Sequence, residues 1–276
     1  MAMSIRTNIS SLNAQRNLYS TQTSMDSSLS RLSSGFRITK AGDDAAGLGI
    51  STKLESQIRS YSQAVRNAND GLSVIQSTEA ALNESANVLT RLRELAMQSA
   101  SDGVGNSERA YIQTETTSLV NELERIAQVT EYNGTKLLNT VTSTLDFQVG
   151  IYKSSNDAIS FTTLNATTGT TGLNVTGLQV GLKASALNAL TSIDFALSQV
   201  SAARADLGAA GNRLQSTIAN IQAFSESLSA ANSRIKDVDV AEETSRMSRS
   251  QILLQAGVSV LAQANQMPQM ALKLLG

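Results

Sequence analysis

A heptad repeat of apolar residues over residues 193–235 constrains this fold more than any other feature of the sequence. A second row, mostly alanine, runs three positions further on. Such a pattern, held for about six heptads, is typical of a long helix in coiled-coil packing. At about 1.5 Å per residue the helix would be about 65 Å long, and it needs a long partner to bury its apolar stripe. The first row, predicted to form a seam within one chain, is Ile193, Val200, Leu207, Leu214, Ile221, Leu228 and Ile235.

The partner helix is predicted over residues 54–96, where every seventh position is again apolar or alanine, apart from Tyr61. Asp70-Gly71 would ordinarily indicate a turn. Because the apolar phase runs through this dipeptide unbroken, one helix is predicted, at a cost of about 1 kcal/mol for the glycine. The residues between the two long helices must turn back to join them, which favours antiparallel pairing within one subunit.

The remaining pattern predicts a shorter helix and a small β region. Helices are expected at about 43–100, 106–130 and 186–235, and a β-hairpin region at 141–184. Its strand signal is the alternation at Leu145, Phe147, Val149 and Ile151, with weaker alternation near Leu173 and Val175. The predicted fold class is mainly α: an elongated antiparallel helical bundle or coiled coil, with a small β-hairpin region in the centre of the chain.

The two chain ends resemble each other in composition. Residues 1–33 mix apolar with neutral polar residues, and residues 250–272 carry no charge. A membrane span is disfavoured because the second stretch contains several glutamines, Gly257 and Pro268. We expect both ends, residues 1–42 and 236–276, to pair with each other and to pack against other subunits; the family resemblance described below implies that they form an inner domain and that residues 43–235 form a rod-like middle domain. The residues expected at intersubunit contacts are Ile5, Ile9, Leu12, Leu254, Leu261, Leu272 and Leu275.

Composition excludes several kinds of chemistry. The chain has no Cys and no His, so a thiol nucleophile, an imidazole base and a zinc site are excluded. Its 22 basic and 23 acidic residues give a formal charge of −1, which does not favour nucleic acid as a partner. The paired carboxylates Asp43-Asp44 and Glu242-Glu243 suit the first turns of helices. We therefore predict no enzyme activity, no catalytic or metal site and no cofactor.

Six motifs resemble those of the bacterial flagellin family, in the same order and spacing. LSRLSSGFRITKAGDDAAGLGIS begins at Leu29, TRLRELAMQSASDG at Thr90 and EYNGTKLL at Glu131. ARADLGAAGNRL begins at Ala203, AANSRIKDVDVAEE at Ala230 and QANQMPQMALKLL at Gln263. These blocks cover roughly residues 1–140 and 185–276, so the insert at about 141–184 is short, and the resemblance implies a form without the outer variable domains.

The resemblance implies a structural subunit of the extracellular flagellar filament, which drives swimming. Such subunits are exported unfolded through a flagellar type III apparatus and then self-assemble, with the paired terminal helices lining a central channel. Implied partners are further copies of the chain, a flagellar export chaperone, the filament cap protein and the hook–filament junction proteins. An alternative within the same superfamily is a hook–filament junction protein. Two other classes stay open: a secreted enzyme or adhesin on a flagellin frame, and a membrane-active component of a secretion translocon.

Two surface features are implied by the same resemblance. Arg91, Leu95 and Glu115 match positions that contact the vertebrate Toll-like flagellin receptor in related flagellins, although packing within the polymer explains the same residues. Asn8, Asn133, Asn165 and Asn174 begin N-glycosylation sequons, a motif that is common by chance. The Ser- and Thr-rich segment at 160–176 could instead carry O-linked sugars.

Overall fold

A computed structural model describes residues 7–139 and 144–275, with side chains described as far as residue 266 in the last helix. Helices dominate, and the predicted mainly α fold class with a small central β region is confirmed. The helices are α1 (Ile9–Ser34), α2 (Ala45–Ala100), α3 (Asn106–Val129), α4 (Lys183–Lys236) and α5 (Val240–Leu275). The strands are β1 (Glu131–Tyr132), β2 (Thr135–Lys136), β3 (Thr144–Gln148) and β4 (Ala158–Thr162), with one 3-10 turn at Ser155–Asp157.

Residue contacts divide the chain into two units. The terminal unit comprises Met1–Ile58 and Glu226–Gly276, and the central unit comprises Arg59–Ser225. The sequence boundaries at 42/43 and 235/236 followed the breaks between helices. In contrast, the contacts assign one end of α2 and one end of α4 to the terminal unit. Lys236 Nζ, for example, lies 3.4 Å from Glu55 Oε2, which joins those two ends.

The long helices α2 and α4 run antiparallel within the central unit. Arg93 Nε donates to Asp194 Oδ1 at 2.6 Å, and the rings of Tyr61 and Phe224 lie 6.4 Å apart at the other end. Residue numbers in α4 therefore rise as those of their partners in α2 fall, which makes the two helices antiparallel. Gly71 faces Leu214 between the two contacts. The helix α2 passes through Asp70-Gly71 without a break, as the apolar phase predicted.

The predicted seam residues differ in burial along α4. Ile193, Val200 and Leu214 are fully buried, and Leu207 and Ile221 are nearly so. Leu228 and Ile235, which lie in the terminal unit, are only half-buried. In the second row Phe224 is 60% exposed and lies outside the buried core of the central unit. Residues of α3 and of the β3–β4 hairpin contribute to that core. The apolar period of α4 alone does not show how far along the helix the core extends.

The β region is smaller than the predicted 141–184 span. Strands β3 and β4 pair antiparallel, with Leu145 opposite Phe161 and Phe147 opposite Ile159. The alternation at Leu173 and Val175 does not form a strand, since Asn174 has φ 54° and so interrupts the extended backbone. Both residues are fully buried in a loop whose amides bond back to Thr167 and Thr168.

A carboxylate on α3 holds this loop in place. Glu124 Oε2 accepts hydrogen bonds from Thr168 N at 2.7 Å and from Thr168 Oγ1 at 2.8 Å. Although partial burial acts in the opposite direction, these bonds and one from Gln128 hold the pKa of Glu124 below its usual value. The charged form of Glu124 is therefore the form that binds the loop.

A second hairpin, β1–β2, was not predicted. It directly follows α3, which ends at Val129, close to the predicted bound of 130. Asn133 and Gly134 have φ values of 48° and 79°, as a two-residue turn requires, so the dipeptide closes a hairpin and does not cap the helix.

Candidate functional site: the terminal helix pair

The segments that join α1 to α2 and α4 to α5 lie side by side in the terminal unit. Gly35 ends α1 with φ 74°, the left-handed conformation of a helix C-cap, and its carbonyl accepts from Val238 N at 3.0 Å. Arg37 N donates to Lys236 O at 2.7 Å. The Lys236 ammonium lies 4.5 Å from the centre of the Phe36 ring, within the range of a cation–π contact. These bonds fix the point from which α1 and α5 begin to run together.

Acidic residues lie at the starts of α2 and α5, the helices that follow these two segments. Asp44 Oδ1 accepts from Gly47 N at 2.8 Å at the start of α2, and Asp239 Oδ1 accepts from Ala241 N at 2.9 Å at the start of α5. Asp43 closes the preceding turn by accepting from Thr39 and Lys40. Hydrogen bonds from the Thr39 amide, the Thr39 hydroxyl and the Lys40 amide lower the pKa of Asp43. Asp44 and Asp239 therefore act as helix caps and Asp43 as a turn cap. The predicted first-turn position holds for Glu242-Glu243, whereas Asp43-Asp44 lie just before the first turn of α2.

Helices α1 and α5 pack antiparallel from Asn8 and Ala264 at one end to Arg31 and Glu243 at the other. Asn8 Nδ2 donates to Ala264 O at 2.8 Å at one end of the pair. In the middle, Leu18 packs closely against Gly257, where an added Cβ would lie 2.9 Å from Leu18 Cδ1. At the other end the Arg31 guanidinium lies 4.0 Å from the carboxylate of Glu243. The pairing of the two chain ends therefore rests on polar contacts at both ends and close packing between them.

The outer surface of this pair is apolar and carries few charges. From Ser250 to Gln266 no residue is charged, and the uncharged stretch continues in the sequence to Leu272. Many exposed large apolar side chains on one helix pair are typical of an interaction surface. The large apolar residues that are about half exposed or more are Ile9, Leu12, Tyr19, Leu29, Ile252, Leu253, Val258 and Val260.

The residues expected at intersubunit contacts fall into three groups. Ile9 and Leu12 are exposed in the single chain, at 64% and 49%. Leu254 and Leu261 are half-buried, since they lie nearer the α1 side of α5. The side chains of Ile5, Leu272 and Leu275 lie outside the described residues. Sequence reasoning did not find Ile252, Leu253, Val258 and Val260, although their position in the uncharged stretch was a usable signal.

The three receptor-matching residues are in the central unit and differ in exposure. Arg91 Nη2 pairs with Glu115 Oε1 at 2.9 Å across α2 and α3, and both side chains are about half exposed. Arg91 also pairs with Glu94 at 3.0 Å, and the bonds to Glu94 and then to Glu115 raise its pKa. Leu95 is only 2% exposed and belongs to the buried core. Only the ion pair, therefore, is available at the surface of the single chain.

Neither a metal cluster nor a spanning helix is found in the part of the chain that is described. Across residues 7–139 and 144–275, no three His, Cys, Asp or Glu side chains lie close enough to hold a metal ion. In the same residues no helix combines the length and hydropathy needed to cross a bilayer.

Comparisons with known proteins agree with this architecture. The family model of the bacterial flagellin N-terminal helical region matches residues 5–143, and that of the C-terminal helical region matches residues 190–275. The chain is 42% identical over 273 residues to a flagellin of Halalkalibacterium halodurans, covering 99% of this chain and 100% of the relative. It is 40% identical over 287 residues to the flagellar filament 33 kDa core protein of Treponema phagedenis, with the same coverage of both chains.

A solved structure shows the same fold at low sequence identity. A putative flagellar hook-associated protein from Vibrio parahaemolyticus superposes with a TM-score of 0.58 and 13% identity, covering 71% of this chain and 100% of that chain. Two family models and full-length relatives at about 40% identity together decide the assignment. This chain belongs to the bacterial flagellin family, as a short form that lacks the outer variable domains.

Proposed function

We propose that this chain is the structural subunit of a bacterial flagellar filament and that copies of it assemble through the α1–α5 pair. The observation that carries the proposal is the exposed, uncharged apolar surface of that pair, which a free chain leaves in water. At about 25 cal/mol per Å² of apolar surface buried, covering such a surface with neighbouring copies strongly favours assembly. Because α5 carries no charge from Ser250 to Gln266, few charges need to be desolvated along that part of the contact.

The proposal includes the route and the partners of assembly. The subunit leaves the cell through the flagellar type III apparatus, held by an export chaperone, and joins the filament beneath a cap protein. The first copies contact the hook–filament junction proteins. Family membership and the weak intrinsic packing of the chain ends support this route, because ends that are unstable alone suit transport in an unfolded state. The role is structural and involves no catalysis.

Recognition by the vertebrate Toll-like flagellin receptor is a separate part of the proposal. The exposed Arg91–Glu115 pair supplies the contact, and the buried Leu95 acts indirectly by holding α2 against its neighbours. Arg91→Ala should then reduce receptor activation by monomer without changing thermal stability. A Leu95→Ala variant that loses activation while its core remains fully folded would contradict the indirect role.

Seeded polymerisation tests the filament proposal. Purified monomer added to short filament seeds should give long uniform filaments visible by negative-stain electron microscopy. Leu254→Asp or Leu261→Asp should prevent growth while leaving the far-ultraviolet circular dichroism of the central unit unchanged, because each places a carboxylate on the half-buried side of α5 that packs toward α1, where assembly removes the remaining water at a cost of several kcal/mol. Asn156→Asp, which adds the same charge to an exposed loop, is the matched control. Normal growth of both leucine variants would refute assembly through this pair.

The hook–filament junction alternative makes a different prediction in the same assay. A junction protein forms a short assembly of limited length, so the purified chain would cap seeds and not extend them. The closeness of relatives that carry flagellin and filament names favours unlimited growth.

A further inference from the structure

The Asn133-Gly134 pair that closes the β1–β2 hairpin brings together two groups that can react with each other. Both residues are exposed, and they form the only Asn-Gly pair in the sequence. Their φ values of 48° and 79° are those of a two-residue turn, and a Cβ built on Gly134 would meet nothing within 4 Å. No side chain therefore separates the Gly134 nitrogen from the Asn133 carboxamide.

Neither group is held by a hydrogen bond among the described residues. The Asn133 carboxamide has no partner there, and the Gly134 N–H donates to no carbonyl. At three other loop asparagines, Asn156, Asn165 and Asn174, the amide that follows is bonded. Asp157 N donates to Ser154 O at 3.0 Å, Ala166 N to Leu138 O at 2.9 Å and Val175 N to Thr168 O at 2.9 Å. An amide held in this way cannot turn toward the carboxamide before it, whereas the Gly134 amide is free to do so.

Asn174 is the closest match to Asn133 within the described chain. It is exposed and has the same left-handed backbone, with φ 54°. However, it precedes Val175, whose β-branched side chain is fully buried and whose amide is bonded. The same residue type in the same conformation therefore lies next to a crowded amide, which makes Asn174 an internal control for the reactivity of Asn133.

The hairpin is short enough for its turn to open locally. Two residue pairs form it, Glu131 with Lys136 and Tyr132 with Thr135, and a two-stranded hairpin is at best marginally stable in water. Lys136 Nζ lies 2.5 Å from Glu131 Oε2, but both side chains are nearly half exposed, so this ion pair contributes little. Before and after the hairpin the chain is anchored, since Leu137 N donates to Thr130 O at 3.1 Å and Leu137 is buried. The turn can therefore rearrange without unfolding the core.

We propose that Asn133 is a site of spontaneous deamidation, with water as the only co-reactant. The Gly134 nitrogen, which loses its proton to water, attacks Cγ of Asn133. The Cγ–N bond forms, the Cγ–Nδ2 bond breaks, and Nδ2 takes up a proton and leaves as ammonia, so that a cyclic imide remains. Water then opens the ring. Cleavage at Cγ gives aspartate, and cleavage at the main-chain carbonyl of residue 133 gives isoaspartate.

Isoaspartate alters the turn more than aspartate does. Its main chain passes through Cγ, which lengthens a turn that is closed by two residues, and it leaves a free carboxylate there. We expect the Tyr132–Thr135 pair to be lost while the bond from Leu137 N to Thr130 O stays. The chain therefore keeps its fold and carries a covalent mark that accumulates with age.

Peptide mapping of the aged chain tests the site. Purified folded chain is incubated at physiological temperature, digested and analysed by mass spectrometry after chromatographic separation of the aspartate and isoaspartate forms. The Asn133 peptide should convert at least about tenfold faster than the Asn174 peptide, for which a barrier difference of about 1.4 kcal/mol is enough. Equal rates at the two sites would overturn the proposal. So would an Asn133 peptide that stays intact, or that converts only after the chain is unfolded in guanidinium chloride.

Enzymatic methylation assigns the product to residue 133 independently. Protein isoaspartyl methyltransferase transfers a methyl group from S-adenosylmethionine to the isoaspartate carboxylate. Asn133→Gln should remove most of the methylation of aged chain, because the longer side chain closes a ring much more slowly. Asn156→Gln, at an exposed loop position whose following amide is bonded, is the matched control and should leave methylation unchanged. Equal methylation of the parent and Asn133→Gln would overturn the assignment to this turn.

Discussion

Gly71 provides the sharpest test of the packing, because helix propensity and sterics predict opposite signs for its replacement. It lies inside α2, where glycine to alanine ordinarily stabilises a helix by about 1 kcal/mol. A Cβ at this position would lie 2.9 Å from Phe147 Cγ and 3.3 Å from Leu214 Cδ1. The Phe147 ring cannot easily move away, since it stacks on Phe161 with centroids 5.7 Å apart. Overpacking of this kind costs about 1–3 kcal/mol, so we expect Gly71→Ala to be neutral or destabilising, by up to about 2 kcal/mol.

The matched control is Gly208→Ala in α4, where an added Cβ would meet nothing within 4 Å. That variant should be stabilised by up to about 1 kcal/mol, so the difference between the two isolates the steric cost. Thermal unfolding of monomer by circular dichroism measures both, at about 2–4 °C per kcal/mol for a unit of this size. Phe147→Leu should restore the stabilising effect of Gly71→Ala. If Gly71→Ala alone stabilises the chain as Gly208→Ala does, the hairpin does not pack on α2 as described.

Two further substitutions and a proteolysis experiment test other parts of the structure. Leu214→Ala, at a fully buried position, should cost about 2–5 kcal/mol and lower the melting temperature, whereas an unchanged melting temperature with loss of filaments would move the seam between subunits. Glu124→Gln should destabilise the chain by about 1–2 kcal/mol at neutral pH, because it weakens the two hydrogen bonds that Thr168 donates to the Glu124 carboxylate. Because hydrogen bonds hold the folded pKa of Glu124 below its usual value, its contribution to stability is present above the unfolded pKa and lost as pH falls through the folded pKa. A parallel pH dependence of stability in parent and variant would refute this. Brief proteolysis of monomer should remove both chain ends and leave residues 59–225, and ends that resist protease would contradict their dependence on neighbours.

The long helices and their antiparallel pairing follow from the sequence because one physical pattern specifies them. A seven-residue apolar period over about six heptads has few structural solutions, and the return of the chain between two such segments makes them antiparallel. The same period explains why α2 continues through Asp70-Gly71. The glycine that looked like a turn signal is where Phe147 and Leu214 pack against the helix backbone.

The loop and the assembly surface were harder to predict. Leu173 and Val175 are buried like strand residues, but the positive φ of Asn174 and the bonds from Glu124 to Thr168 hold them in a loop. Those bonds join residues far apart in sequence, which no local pattern reports. The exposed Ile252, Leu253, Val258 and Val260 likewise depend on which side of α5 packs against α1, a helix from the opposite end of the chain.

The most direct test of the account is an electron cryo-microscopy structure of filaments grown from this chain. We predict that α1 and α5 form the innermost layer, with the apolar residues of α5 buried by neighbouring copies. A filament in which the α1–α5 pair faces outward and its apolar surface stays exposed to water would contradict assembly through this pair.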